Sequence, residues 1–315
     1  MMSNNVGKEY KTSIGGQALI EGIMMRGPST TAIVVRTKEG LVEKIEETRL
    51  PKDRHPIFGF AFIRGAANLV STMKLGVRSI MFSADQMPEE EQEEASKFDL
   101  WLEKKFGDEK AEKVIITFAV VMGLVLFVAL FMLLPTLLTG FVARFVESVM
   151  VVNLIEGAFR ITIFLTYIWL ATKMGAIKRV WAYHGAEHKA IHCYEKGLPL
   201  TVDNVRDQST LHPRCGTSFL FVVMLVSILI FSLTSWNNLL IRFALRIILL
   251  PVIVAISYEV IKLAGKRDNI LTRIISAPGK ALQRLTTREP DDDMIEVAIR
   301  AMELVVPEGE EEAEW

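Results

Sequence analysis

The sequence predicts an α-helical integral membrane protein with about four transmembrane helices and a small cytoplasmic α+β portion. Three observations predict it. Half of the 315 residues are hydrophobic, and most of these lie in two long blocks, roughly 114–174 and 216–263, instead of spreading through a soluble core. Each block divides into two apolar stretches, long enough at about 1.5 Å per residue to cross a ~30 Å hydrocarbon layer, joined by a short link. Lysine and arginine gather on one side of the spans so defined. The α+β portion is built from an N-terminal hairpin segment, the central loop and the C-terminal tail. A net charge of −1 with no basic face or tail argues against nucleic acid as a partner. Two cysteines, Cys193 and Cys215, are too few for a disulfide framework, and a cytoplasmic setting keeps both reduced.

Residues 10–56 read as an N-terminal cytoplasmic β-hairpin segment behind a polar start with no secretory signal. Ala32–Arg36 and Leu41–Ile45 flank Lys38-Glu39-Gly40, with glycine at the turn. Ahead of it, GGQALIEGIMMRGP is Gly-rich and apolar but lacks the lysine of a phosphate-binding loop, so a packed turn near the membrane is expected. Residues 57–113 read as interfacial and amphipathic helices. Arg64, Lys74 and Arg78 punctuate 57–83 and make a full span there costly. EEEQEE at 89–94 is expected as a solvated acidic link and 97–112 as a short amphipathic helix.

Transmembrane helices 1 and 2 fill 114–174: Val114 to about Thr139, with a kink at Pro135, and about Val149 to Thr172. Residues 175–215 form a cytoplasmic His/Cys loop, helical over about 178–196 and closed by Gly197 and Pro199. Transmembrane helices 3 and 4 fill 216–263, as about Gly216–Thr234 and Leu239–Leu263. A cytoplasmic C-terminal helix belongs to 264–306. Ser276-Ala277-Pro278-Gly279 is expected to break this stretch, and Asp291–Asp293 suit the start of a helix at Met294–Leu304. The acidic tail, 307–315, is expected to be disordered.

Orientation follows from the cations. The short links hold little beyond Arg144 and Arg242, and Arg242 and Arg246 are expected to reach toward the outer interface. The central loop holds Lys173, Lys178, Arg179, Lys189, Lys196, Arg206 and Arg214. Lys104, Lys105, Lys110 and Lys113 precede the first span, and Lys262, Lys266 and Arg267 follow the last. The three clusters share a side, which places them, and both termini, in the cytoplasm of a multi-pass cell-membrane protein.

Four of the five histidines fall between residues 184 and 212. In WAYHGAEHKAIHCYEKGLP, helical phasing puts His184, His188, His192 and Glu195 on one face, with Glu187 about 60° from His184 and Cys193 pointing away. Imidazoles at i and i+4 are one turn apart, a separation that one ion can bridge, and HGAEH fits H-x-x-E-H, in which the glutamate is a general base beside two ligands. HPRC at the far end of the loop offers His212 and Cys215, a donor set that suits zinc. The candidate ligands are therefore His184, His188, His212 and Cys215, with Glu187 as catalytic base and Arg214 and Lys189 as binders of an anionic substrate group. A hydrogen-bonded histidine cluster without metal is the competing reading. Glu156 and Arg160 form an i, i+4 pair inside the second span, either functional or orienting helix packing. Glu259 lies near the cytoplasmic end of the fourth span.

GGQALIEGIMMRGP, the YHGAEHKAI…CYE stretch, HPRCGTSF, SYEVIK and LTTREPDDDMIEVAI together resemble the bacterial YqhQ-like family, domain of unknown function 1385, over roughly residues 13–300. The resemblance implies a multi-pass membrane protein described as a metal-dependent enzyme, a label that itself rests on the histidine motif. It picks out His184, Glu187, His188, His212 and Cys215, and adds Glu21, Arg26, Arg64 and Glu259. His192 departs from the family pattern, where asparagine is usual, so the resemblance carries no ligand role to it. The expectation is a zinc or other divalent-metal hydrolase working on lipid headgroups or membrane-protein segments at the cytoplasmic face. The alternative is a non-catalytic scaffold or membrane-protein biogenesis factor. The expected partners are the lipid bilayer and a membrane or cytoplasmic protein.

Overall fold

The computed structural model describes residues 11–87, 108–232, 239–266 and 269–307. The acidic link at 89–94, most of the helix expected at 97–112 and most of the tail at 307–315 lie outside them. The chain divides into two compact units, one taking Met1–Gln86, Ile168–Ser227 and Ile247–Trp315, the other Met87–Tyr167 and Ile228–Arg246.

The first unit is organised on an antiparallel sheet of four strands in sequence order: β1 (Gly15–Leu19), β2 (Gly22–Arg26), β3 (Thr30–Thr37) and β4 (Gly40–Glu47). The hairpin expected around Gly40 is β3–β4, paired Thr37↔Gly40 through Thr30↔Glu47. The segment expected as a packed turn is instead a second hairpin, paired Leu19↔Gly22 through Gly15↔Arg26. Its strands show no polar–apolar alternation because both faces of the sheet are covered. On one face Ile23, Met25, Ala32 and Val34 pack against α6 (Gly175–Glu195) and α11 (Asp292–Glu303). On the other, Leu19, Met24, Ile33 and Val35 pack against Leu75 and Phe82 of α2 (Ile63–Asp85). The short α1 (Pro51–Arg54) and a 3₁₀ turn (Pro56–Gly59) link sheet to α2, and a short α7 (Val202–Arg206) follows α6.

Among the described residues, three helical stretches are long and apolar enough to cross a membrane: Thr117–Val142, Val149–Ala171 and Phe243–Leu263. The first runs through α3 (Asp108–Val128), a π-helical segment (Ala129–Leu133) and α4 (Leu134–Val142); the second is α5 (Val149–Ala171), and the third lies in α9 (Leu239–Lys266). Their outward faces carry bare large side chains, including Phe118, Leu124, Leu126 and Trp169, as lipid-facing helices do and soluble ones do not. The fourth stretch, α8 (Gly216–Ser232), is an apolar helix of 17 described residues; Thr234, its expected end, lies outside them.

Proline shapes the second unit. Pro135 has no N–H for the carbonyl of Phe131, and the turn before it widens into the π segment. The Nε of Arg160 donates to that carbonyl at 3.3 Å. Arg160 Nη2 also donates to Glu156 Oε1 at 3.1 Å, as the sequence spacing predicts. Arg246 donates to the same carboxylate oxygen and to Thr136 Oγ1, and is buried rather than reaching toward an interface. The Phe231 ring lies 5.4 Å from each guanidinium carbon.

Behind α9, α10 (Ile270–Thr286) runs unbroken through Pro278 and Gly279, where a break was expected. The carbonyl that Pro278 leaves without its helical donor belongs to Ile274, whose residue is 63% exposed. Burial at Thr272, Ser276, Gly279, Leu282, Gln283 and Thr286 keeps helical phase across the proline. Gly279 is packed tightly, since a Cβ there would lie 2.5 Å from Ser218 Oγ. The last helix matches expectation, with Asp291 capping Met294 N at 3.0 Å.

Candidate metal centre

The histidine helix α6 buries Ala182, Tyr183, Ala186, Ala190 and Ile191 against the sheet and α11, which fixes its rotation. Its small residues permit close approach. At Gly185 a Cβ would run into the Arg288 carbonyl, in a strand-like segment whose N–H donates to Trp181 O at 2.9 Å. Gly197, at φ +63°, ends the helix in the left-handed conformation that glycine adopts without cost.

With α6 so placed, His184 and His188 face the loop that leads into α8. His184 Nδ1 lies 2.8 Å from the Thr286 carbonyl and His188 Nδ1 lies 2.5 Å from the Thr210 carbonyl. A carbonyl only accepts, so each Nδ1 carries the proton and each Nε2 presents a lone pair. His184 Nε2 is 3.1 Å from Cys215 Sγ, His188 also bonds that sulfur, and the two rings are 4.3 Å apart. The ligand atoms of His184, His188 and Cys215 all lie within 4.8 Å of one another.

Glu187 is buried beside this trio. One of its oxygens accepts the Gly16 N–H, and Oε2 has no hydrogen-bond partner. A Cβ at Gly16 would come within 3.0 Å of the Glu187 Cδ, so β1 needs glycine there to reach the carboxylate. Burial, above the opposing pull of His184, pushes the Glu187 carboxyl up to about 7. Burial likewise pushes His188 down to about 4. Burial pushes the Cys215 thiol up, but the His188 ring and the hydrogen bonds of His188 and Thr217 outweigh it and leave the thiol below its ordinary value. This donor set fits a transition metal: imidazoles orientated by second hydrogen bonds to carbonyls, a thiol inclined to ionise, and an orphaned buried carboxylate oxygen.

His212 is drawn elsewhere. It joins His192 and Glu195 in a second trio, its Nε2 3.6 Å from Glu195 Oε2 and its ring 4.9 Å from that of His192. His212 still stacks 5.6 Å from His188, so the four imidazoles form one row. The second trio is satisfied within the protein. Arg214 and the Thr12 N–H both donate to Glu195 Oε1, and His192 Nε2 donates to Leu211 O at 2.9 Å. Burial pushes Glu195 up, but His212, Arg214 and the Thr12 N–H outweigh it and bring the carboxyl to about 2. A guanidinium on its one carboxylate makes this trio a poor host for a second cation.

The remaining predicted site residues scatter. Lys189 donates to the Arg206 and Gln208 carbonyls at 2.7 and 2.8 Å and pairs with Glu289, while Arg214 serves Glu195; both expected substrate binders are occupied by protein groups. Glu21, at φ +50° on the tip of the first hairpin, holds Arg179 at 2.6 Å and Tyr183 Oη at 3.2 Å, pinning that hairpin to α6. Arg64 and Glu259 pair bidentately where α2 crosses α9. Arg26 donates to Arg49 O at 3.3 Å at the edge of a cavity. The sequence reading missed Gln283, whose amide bonds both the N–H and C=O of His212 and so clamps the HPRC turn to α10. It carried no signal beyond its place on the buried face of that helix.

Over residues 60–308 the sequence matches the family model described as a protein of unknown function, DUF1385. It is 33% identical over 296 residues to the uncharacterized protein YqhQ of Bacillus subtilis (strain 168), a span that covers 91% of this chain and 90% of that one. No solved structure matches it.

Proposed function

Because the chain belongs to the DUF1385 family, a grouping by descent and not by activity, we propose its function from the geometry: a metal-dependent membrane hydrolase. The single observation that carries the reading is the His184–His188–Cys215 trio with the unpartnered Oε2 of buried Glu187 beside it. Three protein ligands leave one tetrahedral position open, the pattern of catalytic zinc, whereas a structural site is closed by four. His212 lies with Glu195, its Nε2 3.6 Å from Oε2, which supports a three-ligand reading. When bound, a divalent ion would be held by His184, His188 and Cys215 and would supply Lewis acidity. Glu187, its carboxyl raised by burial to about 7, would take a proton from the attacking water on Oε2 and give it to the leaving group as the scissile bond breaks. The substrate class is a lipid headgroup or a membrane-protein segment, and the spans lie in the cell membrane with the sheet, the histidine helix and both termini cytoplasmic, as the distribution of cations supports.

Purified protein should carry about one equivalent of zinc or a related ion. His188→Ala should empty it and His192→Ala should leave most of it. Glu187→Gln should keep metal and fold while failing to complement a deletion strain. The well-satisfied second trio favours a second, non-catalytic reading in which the row of imidazoles is a scaffold. Normal complementation by Glu187→Gln would select that reading, and wild-type protein without metal would remove the site.

A further inference from the structure

Across the sheet from the histidine row, the first unit holds a cavity of about 1200 Å³, larger than the usual small-molecule pocket. Its wall is two-sided. α2 contributes Ile63, Ala67 and Val70, and the apolar membrane-length stretch of α9 contributes Pro251, Val252 and Ala255. The two helices are held at a close crossing just beyond. A Cβ on Gly65 would lie 2.9 Å from Tyr258 Cβ, Asn68 donates to Tyr258 Oη at 3.0 Å, and Arg64 pairs with Glu259. The lining also carries five cations, Arg26, Arg49 and Arg54 from the sheet and the turn after it and Lys74 and Arg78 further along α2, against two carboxylates, Glu46 and Glu47. Both carboxylates are engaged, Glu46 by Arg78 and Glu47 by Arg49 at 3.2 Å. Arg54 and Lys74 are exposed and have no hydrogen bond or ion pair among the described residues, and Arg26 makes only the bond to Arg49 O.

We propose that this cavity binds an anionic glycerophospholipid, its acyl chains against α2 and α9 and its phosphate held by Arg26, Arg54 and Lys74. An excess of three cations selects an anion, and the apolar wall selects one with hydrocarbon attached. The apolar stretch of α9 that forms the wall is the route by which the chains enter from a bilayer. The proposal rests on the membrane placement above and is independent of the metal chemistry, because the sheet separates cavity and histidine row. It goes beyond a general preference for bilayers, since it assigns one lipid to one pocket.

The experiment uses full-length protein in mild non-ionic detergent, with lipid binding followed by native mass spectrometry. Dioleoyl phosphatidylglycerol, dioleoyl phosphatidylcholine and inorganic phosphate are the probes. Phosphatidylglycerol should bind about tenfold tighter than phosphatidylcholine, at about one per chain, and millimolar phosphate should not displace it. Arg54→Gln with Lys74→Gln should bring phosphatidylglycerol to the phosphatidylcholine level, and Ala67→Trp, which fills the wall side, should weaken both lipids. Equal binding of the two lipids, displacement by phosphate, or unchanged affinity in both variants overturns the proposal. Metal content, measured on the same samples, reports separately on the hydrolase reading. Recovery of wild-type protein in the soluble fraction would instead overturn the membrane placement.

Discussion

Glu187 and the histidines behind it respond to pH in opposite senses, and the sum can be measured on chelator-treated protein. Burial holds His188 and His212 down to about 4, so as pH falls below about 6.5 the unfolded chain takes up protons that the fold refuses, and stability is lost. Glu187 is raised to about 7; its contribution is full below its unfolded value of about 4.5 and is lost as pH rises through 7. His192, also lowered by burial, adds to the same loss, so three histidines oppose one carboxyl. Between pH 6.5 and 4.5 the wild-type protein should lose stability as pH falls, and Glu187→Gln should steepen that loss by on the order of 1.4 kcal/mol per pH unit. Parallel melting profiles for the two proteins would mean that Glu187 does not titrate in this window. At this scale the sequence was informative about side chains and silent about backbone. The H-x-x-E-H spacing placed His184, Glu187 and His188 together, but the Thr210 and Thr286 carbonyls that set their tautomers leave no mark in a sequence. The assignment of His212 to Glu195 instead of Cys215 depends on the Gln283 clamp, a contact across 71 positions.

Among the elements, the paired apolar helices of the second unit show how a charge network is built on a proline. Removing the N–H at Pro135 exposes a carbonyl that Arg160 takes up, and Glu156 then serves Arg160 and Arg246 together. Glu156→Gln should therefore cost more than Arg160→Met, with a loss on the order of 3–5 kcal/mol, read as a fall in melting temperature in detergent. The double change should recover little, because Arg246 still lacks its carboxylate; full recovery would show that Arg160 alone uses it. The i, i+4 pair was legible from spacing, whereas Arg246, 90 positions from Glu156, was not. Elements misread from sequence share a cause. Strands β1 and β2 lie under helices on both faces and lose the alternation that identifies a strand, while Pro278 sits half-buried on a helix whose buried stripe continues past it.

For the molecule as a whole, the distribution of lysine and arginine gives the most direct test. A cysteine replacing Arg144 should react with an impermeant thiol reagent on intact cells, and one replacing Lys196 should not; the reverse pattern would turn the histidine row outward. The long apolar helices were legible because composition alone marks them. The candidate metal centre has a further consequence that concerns time. Its parts come from Gly16 in the first hairpin, from His184, Glu187 and His188, from the Thr210–Cys215 stretch, and from Thr286 near the end of the chain. A ribosome delivers these in order, so the hairpin and the first imidazoles must wait, already made, until the penultimate helix has emerged. Throughout that interval the cysteine and both histidines lack their final neighbours. The centre closes late in synthesis, and a chain released early keeps its ligands but never gathers them.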